Sequence, residues 1–368
     1  MKEKLIIKNF GPIKSVDLDL GKMTILIGEQ ATGKSTIAKV LAICRYIIIV
    51  PVSNHFSFFE DTLKTWEIDS YFNEDTYIYY ENNDFIKEIA DNKLKYTPVS
   101  DFYKNNTKNL AEMLFNSGTD LSNTDEKDND FLNSIIKNAN SSFEHSFFIP
   151  TERGLQSIFS LGKHTISLMN DILFEQLSKL SSISKSFKNE INIKPLNIKY
   201  KNVKGEGFVK KGNENYYHSL NISASGYQSL IPIVLSVKSF ENKEQNFIIE
   251  EPELNLFPKA QKKLMEFFVE NINKNGHSFL LPTHSPYFLS AINDLLMAYK
   301  KGKTHPKEVE EIIRKESWLN PDDLSVYQLK DGFAYDIFNK ELNLIGENII
   351  DEVSDEMNDE FDQLLDIR

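Results

Sequence analysis

The sequence predicts an α/β fold: a mixed sheet, antiparallel at its N-terminal strands and parallel at its core, flanked by helices and carrying a helical insertion. Three observations predict it. A short apolar strand, Met23-Thr24-Ile25-Leu26-Ile27, enters a glycine-bearing loop, and residues 35–41 then place apolar side chains at helical spacing. Two further apolar strands, within residues 246–249 and 278–282, end in charged or polar groups and are separated by a helix over about 258–273. Residues 5–9 and 15–20 read as strands that come before the loop, broken by Gly11-Pro12 and Gly21-Lys22.

The loop itself, Gly28-Glu29-Gln30-Ala31-Thr32-Gly33-Lys34-Ser35, fits the phosphate-binding pattern G-x-x-x-x-G-K-[ST]. In that pattern backbone N–H groups wrap the β-phosphate and the first turn of a helix points its partial positive charge at the anion. Lys34 would reach the β- and γ-phosphates, and the Ser35 hydroxyl would hold Mg²⁺. Ala31 stands where many such loops carry another glycine, so a Cβ must be accommodated there.

The chain of 368 residues is long enough for two domains, or for one large domain with insertions. A net charge of −12 argues against a surface that coats nucleic acid all over, while leaving room for a local basic groove. The lone Cys44 excludes an internal disulfide framework and suits a reducing cytosol; a core thiol is the simpler reading than a nucleophile. The first eight residues lead into a strand without an apolar signal core, and the most apolar run, residues 46–52, is far short of the about 20 residues that span a bilayer. The expectation is a soluble cytoplasmic protein with no membrane partner.

From residue 55 to about 142 the chain turns polar, Asn-rich and aromatic, without a clean period, and reads as an insertion with some helix. Asp128 and Asp130 form a D-x-D pair that could bind a metal, although a solvated acidic loop accounts for them as well. Order returns at Phe147-Phe148-Ile149-Pro150, followed by Thr151-Glu152-Arg153-Gly154. Ile172, Leu173, Leu177, Leu180, Ile183 and Phe187 then mark an amphipathic helix within 154–189, either an arm or a helix packed on the core. Lys194, Lys199, Lys201, Lys204, Lys210 and Lys211 cluster in a β-like stretch that could touch nucleic acid, or could be a solvated hairpin.

Downstream lie three groups with chemistry. Ser223-Ala224-Ser225-Gly226-Tyr227-Gln228-Ser229 opens an apolar helix, with Ser225 as a suitable N-cap and Gly226 allowing close backbone approach. The strand at 246–249 ends in Glu250-Glu251, the paired carboxylates of a Walker B strand: one orders the Mg²⁺ shell and the next faces the attacking water. Glu250 stands where Asp is common, so it would act through a metal-bound water. His284 sits at the tip of the next strand, before a Ser285-Pro286 helix start, placed to sense the γ-phosphate. The remainder holds a hairpin turning at Asp331-Gly332 and a helix over about 347–366 with one apolar and one acidic face. That helix docks a partner or, by default, packs on its own sheet.

Taken in order, GEQATGKST, SASGYQS, FIIEEPELNLFP and LLPTHSP resemble the ATP-binding-cassette-class ATPases of the RecF, SMC and overcoming-lysogenization-defect type, nearest the stand-alone ATPases of bacterial anti-phage operons. The resemblance implies two monomers clamping two ATP molecules head to tail as a homodimer, or a higher oligomer built on it. Gly28, Gly33, Lys34, Ser35 and Thr36 would bind phosphate and Mg²⁺ in cis, the loop residues Glu29, Gln30, Ala31 and Thr32 completing the cradle. Ser225 and Gly226, with Gln228 beside them, would contact the γ-phosphate in trans. Glu250 would support the metal, Glu251 would polarise water, and His284 would sense the γ-phosphate. Glu152 matches the position of the family's Q-loop glutamine without being Gln, as an additional metal contact.

The implied domains are 1–54 and 223–300 for the ATPase halves, 55–145 for the insertion, 146–222 for a strand, helical lobe and Lys-rich β segment, and 301–368 for the C-terminal hairpin and acidic helix. The leading functional expectation is an ATP-driven switch that gates a partner effector, a nuclease or toxin encoded next door, or a DNA clamp, in anti-phage defence or DNA maintenance. The alternatives are a complete nuclease of the overcoming-lysogenization-defect type acting on nucleic acid, and a scaffold that binds ATP with negligible turnover and holds a toxin inactive.

Overall fold

The computed structural model describes residues 3–46, 55–101, 104–105, 146–157, 171–212, 214–347 and 349–367. The strands are β1 (Glu3–Phe10), β2 (Ile13–Leu20), β3 (Met23–Gly28), β4 (Tyr77–Glu81), β5 (Phe85–Ala90), β6 (Lys93–Pro98), β7 (Phe147–Ile149), β8 (Ile191–Ile193), β9 (Ile198–Val203), β10 (Glu206–Lys211), β11 (His218–Ser219), β12 (Asn246–Ile249), β13 (Ser278–Thr283), β14 (Leu324–Lys330), β15 (Phe333–Asp336), and the short pair β16 (Phe338–Asn339) and β17 (Leu344–Ile345). The principal helices are α1 (Lys34–Tyr46), α2 (His55–Thr65), α3 (Asp171–Ser186), α4 (Ser225–Ser239), α5 (Pro258–Asn275), α6 (Pro286–Gly302), α7 (Pro306–Ile312) and α8 (Ile349–Leu365).

Eleven strands form one mixed sheet in the order β6-β5-β4-β1-β2-β15-β14-β3-β13-β12-β7. Its two halves differ in kind. From β14 to β7 the neighbours run parallel, and from β6 to β2 they run antiparallel. The strand that feeds the phosphate loop, β3, is buried at all six positions, as a parallel strand covered on both faces must be. Ile25 and Ile27 join the core against α4, α5 and α6, whereas Leu26 joins Ile37 and Leu41 of α1 on the opposite face. Each such side chain contributes about 1.5–3 kcal/mol on full burial. The Asp331-Gly332 turn has φ of 55° and 86°, the two positive values that a two-residue hairpin requires.

Within the helical insertion the described part is more than helix. After α2, strands β4, β5 and β6 form a meander that pairs through β4 with β1 and so widens the main sheet. Its second turn, Asp91-Asn92, has φ of 50° and 53°. Asp128 and Asp130 lie outside the described residues, as does the first part of the segment expected to hold the amphipathic helix, which is seen from Asp171. The C-terminal helix departs from its default expectation: residues 356–367 are exposed, including Met357, Phe361, Leu364 and Leu365, instead of packing on the sheet. Cys44 is buried, and burial pushes its thiol up to about 12, which fits a core residue and not a nucleophile.

Candidate active site

The glycine loop follows β3 and closes onto α1 as expected. Gly28 has φ of 155°, and a Cβ there would lie 2.5 Å from the Leu329 carbonyl oxygen of β14, so only glycine fits. Ala31 adopts the left-handed region at φ 61°, with its methyl exposed; for a non-glycine residue that conformation costs about 1–2 kcal/mol. The Lys34 ammonium spans the loop, donating to the carbonyls of Gly28 at 2.8 Å and Glu29 at 2.6 Å. Burial lowers its pKa to about 8, with Glu251 and Glu253 pulling the other way.

A cleft of about 530 Å³ opens above this loop, lined by Pro12, Gln30, Ala31, Gly33, Lys34, Ser35, Thr36, Tyr71, Glu251, Pro282 and His284. The fold thus brings the loop, the second carboxylate and the histidine to one cavity at the C-terminal ends of β3, β12 and β13, where open parallel sheets bind ligands. The His284 Nε2 lies 3.9 Å from a Glu251 carboxylate oxygen. Burial, then the nearby Lys34 charge, lowers the His284 pKa, so the ring is neutral at neutral pH.

Glu250 points to the other side of Ser35. It shares a second cavity of about 270 Å³ with Ser35, Lys39, Thr151 and Glu152. Burial raises its pKa to about 7, against the Ser35 hydroxyl, and its Oε1 is buried without a hydrogen-bond partner. A buried carboxylate oxygen left without a donor beside a hydroxyl is the donor set a hard divalent cation requires, so these residues fit Mg²⁺. Exposed Glu152 lines the same cavity, with its carboxylate accepting from Thr151 at 3.0 Å.

Two roles differ from expectation. Ser225 is not the N-cap of α4: the helix starts at Ser225, Ala224 holds the cap position, and no side chain caps it. Gln228 is committed to its own loop, its amide donating to the carbonyls of Leu220, Asn221 and Ser223 at 3.0–3.2 Å, which leaves it holding the approach to α4. Neither Ser225 nor Gly226 lines the cleft of its own chain. Gly226 instead packs on the Walker B turn, where a Cβ would lie 2.8 Å from the Asn255 carbonyl oxygen.

Two residues that sequence reasoning passed over hold the site in shape. Glu253 accepts from the Thr283 hydroxyl at 2.8 Å and from the His284 backbone N–H at 2.7 Å, so it fixes the tip of β13. Arg153, wholly buried, donates to the carbonyls of Pro150, Ser229, Glu250 and Glu251 at 2.7–3.1 Å. The only sequence signals were the third carboxylate in Glu250-Glu251-Pro252-Glu253 and an arginine directly after an apolar strand.

The nucleic-acid candidate falls on the separate four-stranded sheet β11-β10-β9-β8. There Lys199 pairs with Glu190 and Lys194 with Glu270, while Lys201 and Lys210 lie over the Tyr217 ring. Four of the six lysines therefore already have acidic or aromatic neighbours.

Fold and site together define a P-loop nucleotide hydrolase. Residues 1–289 match the AAA ATPase domain family, AAA_15, and the chain belongs to that family of ATPases. No curated protein matches the sequence. Among solved structures the chain is similar to the SMC head domain from Thermotoga maritima, at 13% identity over 92% of this chain and 98% of that one, with a TM-score of 0.43. It is likewise similar to an SMC head bound to the C-terminal winged-helix domain of ScpA, at 10% identity over 91% and 96% of the two chains, again with a TM-score of 0.43. Among the described residues no helix is long and apolar enough to cross a membrane.

Proposed function

We propose that this ATPase is a dimerising switch that closes around two ATP molecules and signals its closed state to a partner protein. One observation carries the reading: the cleft holds the loop, Glu251 and His284 of its own chain, while Ser225 and Gly226 stand outside it at an uncapped helix start. The open N–H groups of that first turn suit the γ-phosphate of an ATP held by a second copy. Exposed apolar side chains in the same segments, Ile222 before α4 and Phe257 before α5, support a protein surface there.

In the cleft, Lys34 would release the Gly28 and Glu29 carbonyls for the β- and γ-phosphates. Ser35 and Glu250, with Glu152 across the cavity, would hold Mg²⁺, which when bound screens the phosphate charge. Glu251, exposed to the cleft and left-handed at φ 40°, would accept the proton of the attacking water. His284, neutral, would donate to the γ-phosphate from the far side. With ATP, Glu251→Gln protein should run as a dimer in size-exclusion chromatography with light scattering; a monomer at saturating ATP would overturn the reading.

The partner reading rests on α8. Its exposed stripe of Met357, Phe361, Leu364 and Leu365 is flanked by carboxylates, and the helix carries seven acidic residues and no Lys or Arg. Like charge disfavours pairing with a second copy, so the occupant is a protein with a basic-rimmed apolar groove, an effector such as the product of a neighbouring gene. Phe361→Asp should abolish co-purification with that product and spare ATP turnover; retained binding would count against α8.

A further inference from the structure

The buried guanidinium of Arg153 meets three segments far apart in sequence. Its Nε donates to the Ser229 carbonyl of α4 at 3.0 Å. One terminal nitrogen donates to Pro150 at the end of β7, at 3.1 Å, and to Glu250 at 2.8 Å, and the other donates to Glu251 at 2.7 Å. Only a planar fork of donors can satisfy carbonyls arriving from three directions; an ammonium is a point charge on a flexible stem. Burial lowers the Arg153 pKa to about 10, so the charge persists at neutral pH, with Glu253, Glu251 and Glu250 nearby.

Arg153 holds α4 at the boundary between two parts of the helix. Ser229 to Val237 are buried in the core, whereas Ser225 is exposed and Gly226 and Tyr227 are half-buried. Pro232 lies inside the helix, has no N–H for the Gln228 carbonyl, and loosens the ladder between these parts. On the other side the Asn255 amide donates to the Ser229 hydroxyl at 3.0 Å, and Gly226 rests against the Asn255 carbonyl. The start of α4 thus has one fewer bond to its own helix, at Pro232, and is fastened at two points to the turn that carries Glu251.

We propose that Arg153 is the positioning residue that couples the two nucleotide sites: by tying the Glu250-Glu251 backbone to the start of α4, it makes hydrolysis in one cleft depend on the nucleotide that α4 grips in the other. This rests on the dimer reading above. A phosphate drawn onto Ser225 and Gly226 pulls the first turn of α4, and Arg153 transmits the shift to the backbone that aims Glu251.

The test is steady-state ATP turnover of the full chain against ATP concentration. Wild type should be cooperative, with a Hill coefficient above unity. Arg153→Lys should lower kcat about 10–100-fold, the loss of one or two charge-assisted hydrogen bonds, leave KM near wild type, and bring the Hill coefficient to unity. Pro232→Ala, which restores the helical ladder without touching the cleft, should lower the Hill coefficient while the protein stays folded, and it serves if the Arg153 variant does not fold. A merely structural arginine would lower the melting temperature and leave the Hill coefficient of the folded fraction unchanged, and that result would overturn the proposal. So would a dimeric Glu251→Gln protein whose parent shows no cooperativity. A monomeric Glu251→Gln protein would instead overturn the dimer reading itself.

Discussion

The two halves of the main sheet bury their charges to different ends. In the parallel half, Glu250, Arg153 and Lys34 are buried around turns that open into cavities: Glu250 retains an unpartnered oxygen, and Arg153 and Lys34 donate chiefly to backbone carbonyls, with no carboxylate among the described residues hydrogen-bonded to either. In the antiparallel half, Glu3 and Arg45 neutralise each other through two 2.7 Å contacts, with the Tyr80 hydroxyl donating to Glu3 at 2.6 Å, and none of the three lines a nucleotide cavity. Burial pushes the Glu3 carboxyl up, and Arg45 and Tyr80 more than reverse it. The first set keeps a bare carboxylate oxygen beside a cavity and invites a ligand; the second balances its charges, with only one Arg45 terminal nitrogen left without a partner among the described residues, and clamps β1 to α1 and β4.

Mutations should separate the halves. Glu251→Gln should cut turnover by about 10²–10⁴-fold, the range for loss of a general base, and leave the melting temperature at or above wild type, as read by coupled phosphate release and calorimetry. A large loss of stability in that variant would erase the distinction. Glu3→Gln should do the reverse, costing about 3–5 kcal/mol in denaturant unfolding by leaving Arg45 buried without its counter-charge, with turnover intact in the folded protein.

A smaller effect belongs to Lys87 of β5, buried with its ammonium 2.5 Å from the Cys44 carbonyl oxygen. Burial lowers its pKa from 10.5 to about 7. Between those values the unfolded chain holds the proton more tightly than the folded one. Lys87 therefore makes stability fall with decreasing pH across this window, by up to about 1.4 kcal/mol per unit, and adds no further slope below it. Lys87→Met should flatten stability between pH 9 and pH 7 in chemical denaturation; an unchanged slope would show that the charge is solvated.

The site was legible where phosphate chemistry demands contiguous residues. Gly28 to Ser35 and Glu250-Glu251 had to be neighbours in sequence to act together, and they were found. Arg153 was not legible as a site residue, because apart from the neighbouring Pro150 its partners lie 76 to 98 residues away, and all are backbone carbonyls, to which any residue type would contribute equally. The meander was hidden for a related reason. In β5 the inward positions are Phe85, Lys87 and Ile89, so a buried lysine interrupts the apolar alternation that marks a half-buried strand. In α8 the spacing marks an apolar face but cannot name its partner, since a pattern states that a face is apolar and not what covers it.

The pairing of β3 between β14 and β13 sets an order of assembly during synthesis. The loop strand emerges early, but the neighbour whose Leu329 carbonyl packs on Gly28 is made some 300 residues later, about 15–60 s at typical elongation rates. Until then β3 would present an open edge of unpaired backbone groups on a largely apolar strand, the kind of surface that invites wrong pairing. Nucleotide competence therefore arrives late on the ribosome, and a nascent chain stalled before β14 would be a client for chaperones before it could be an ATPase.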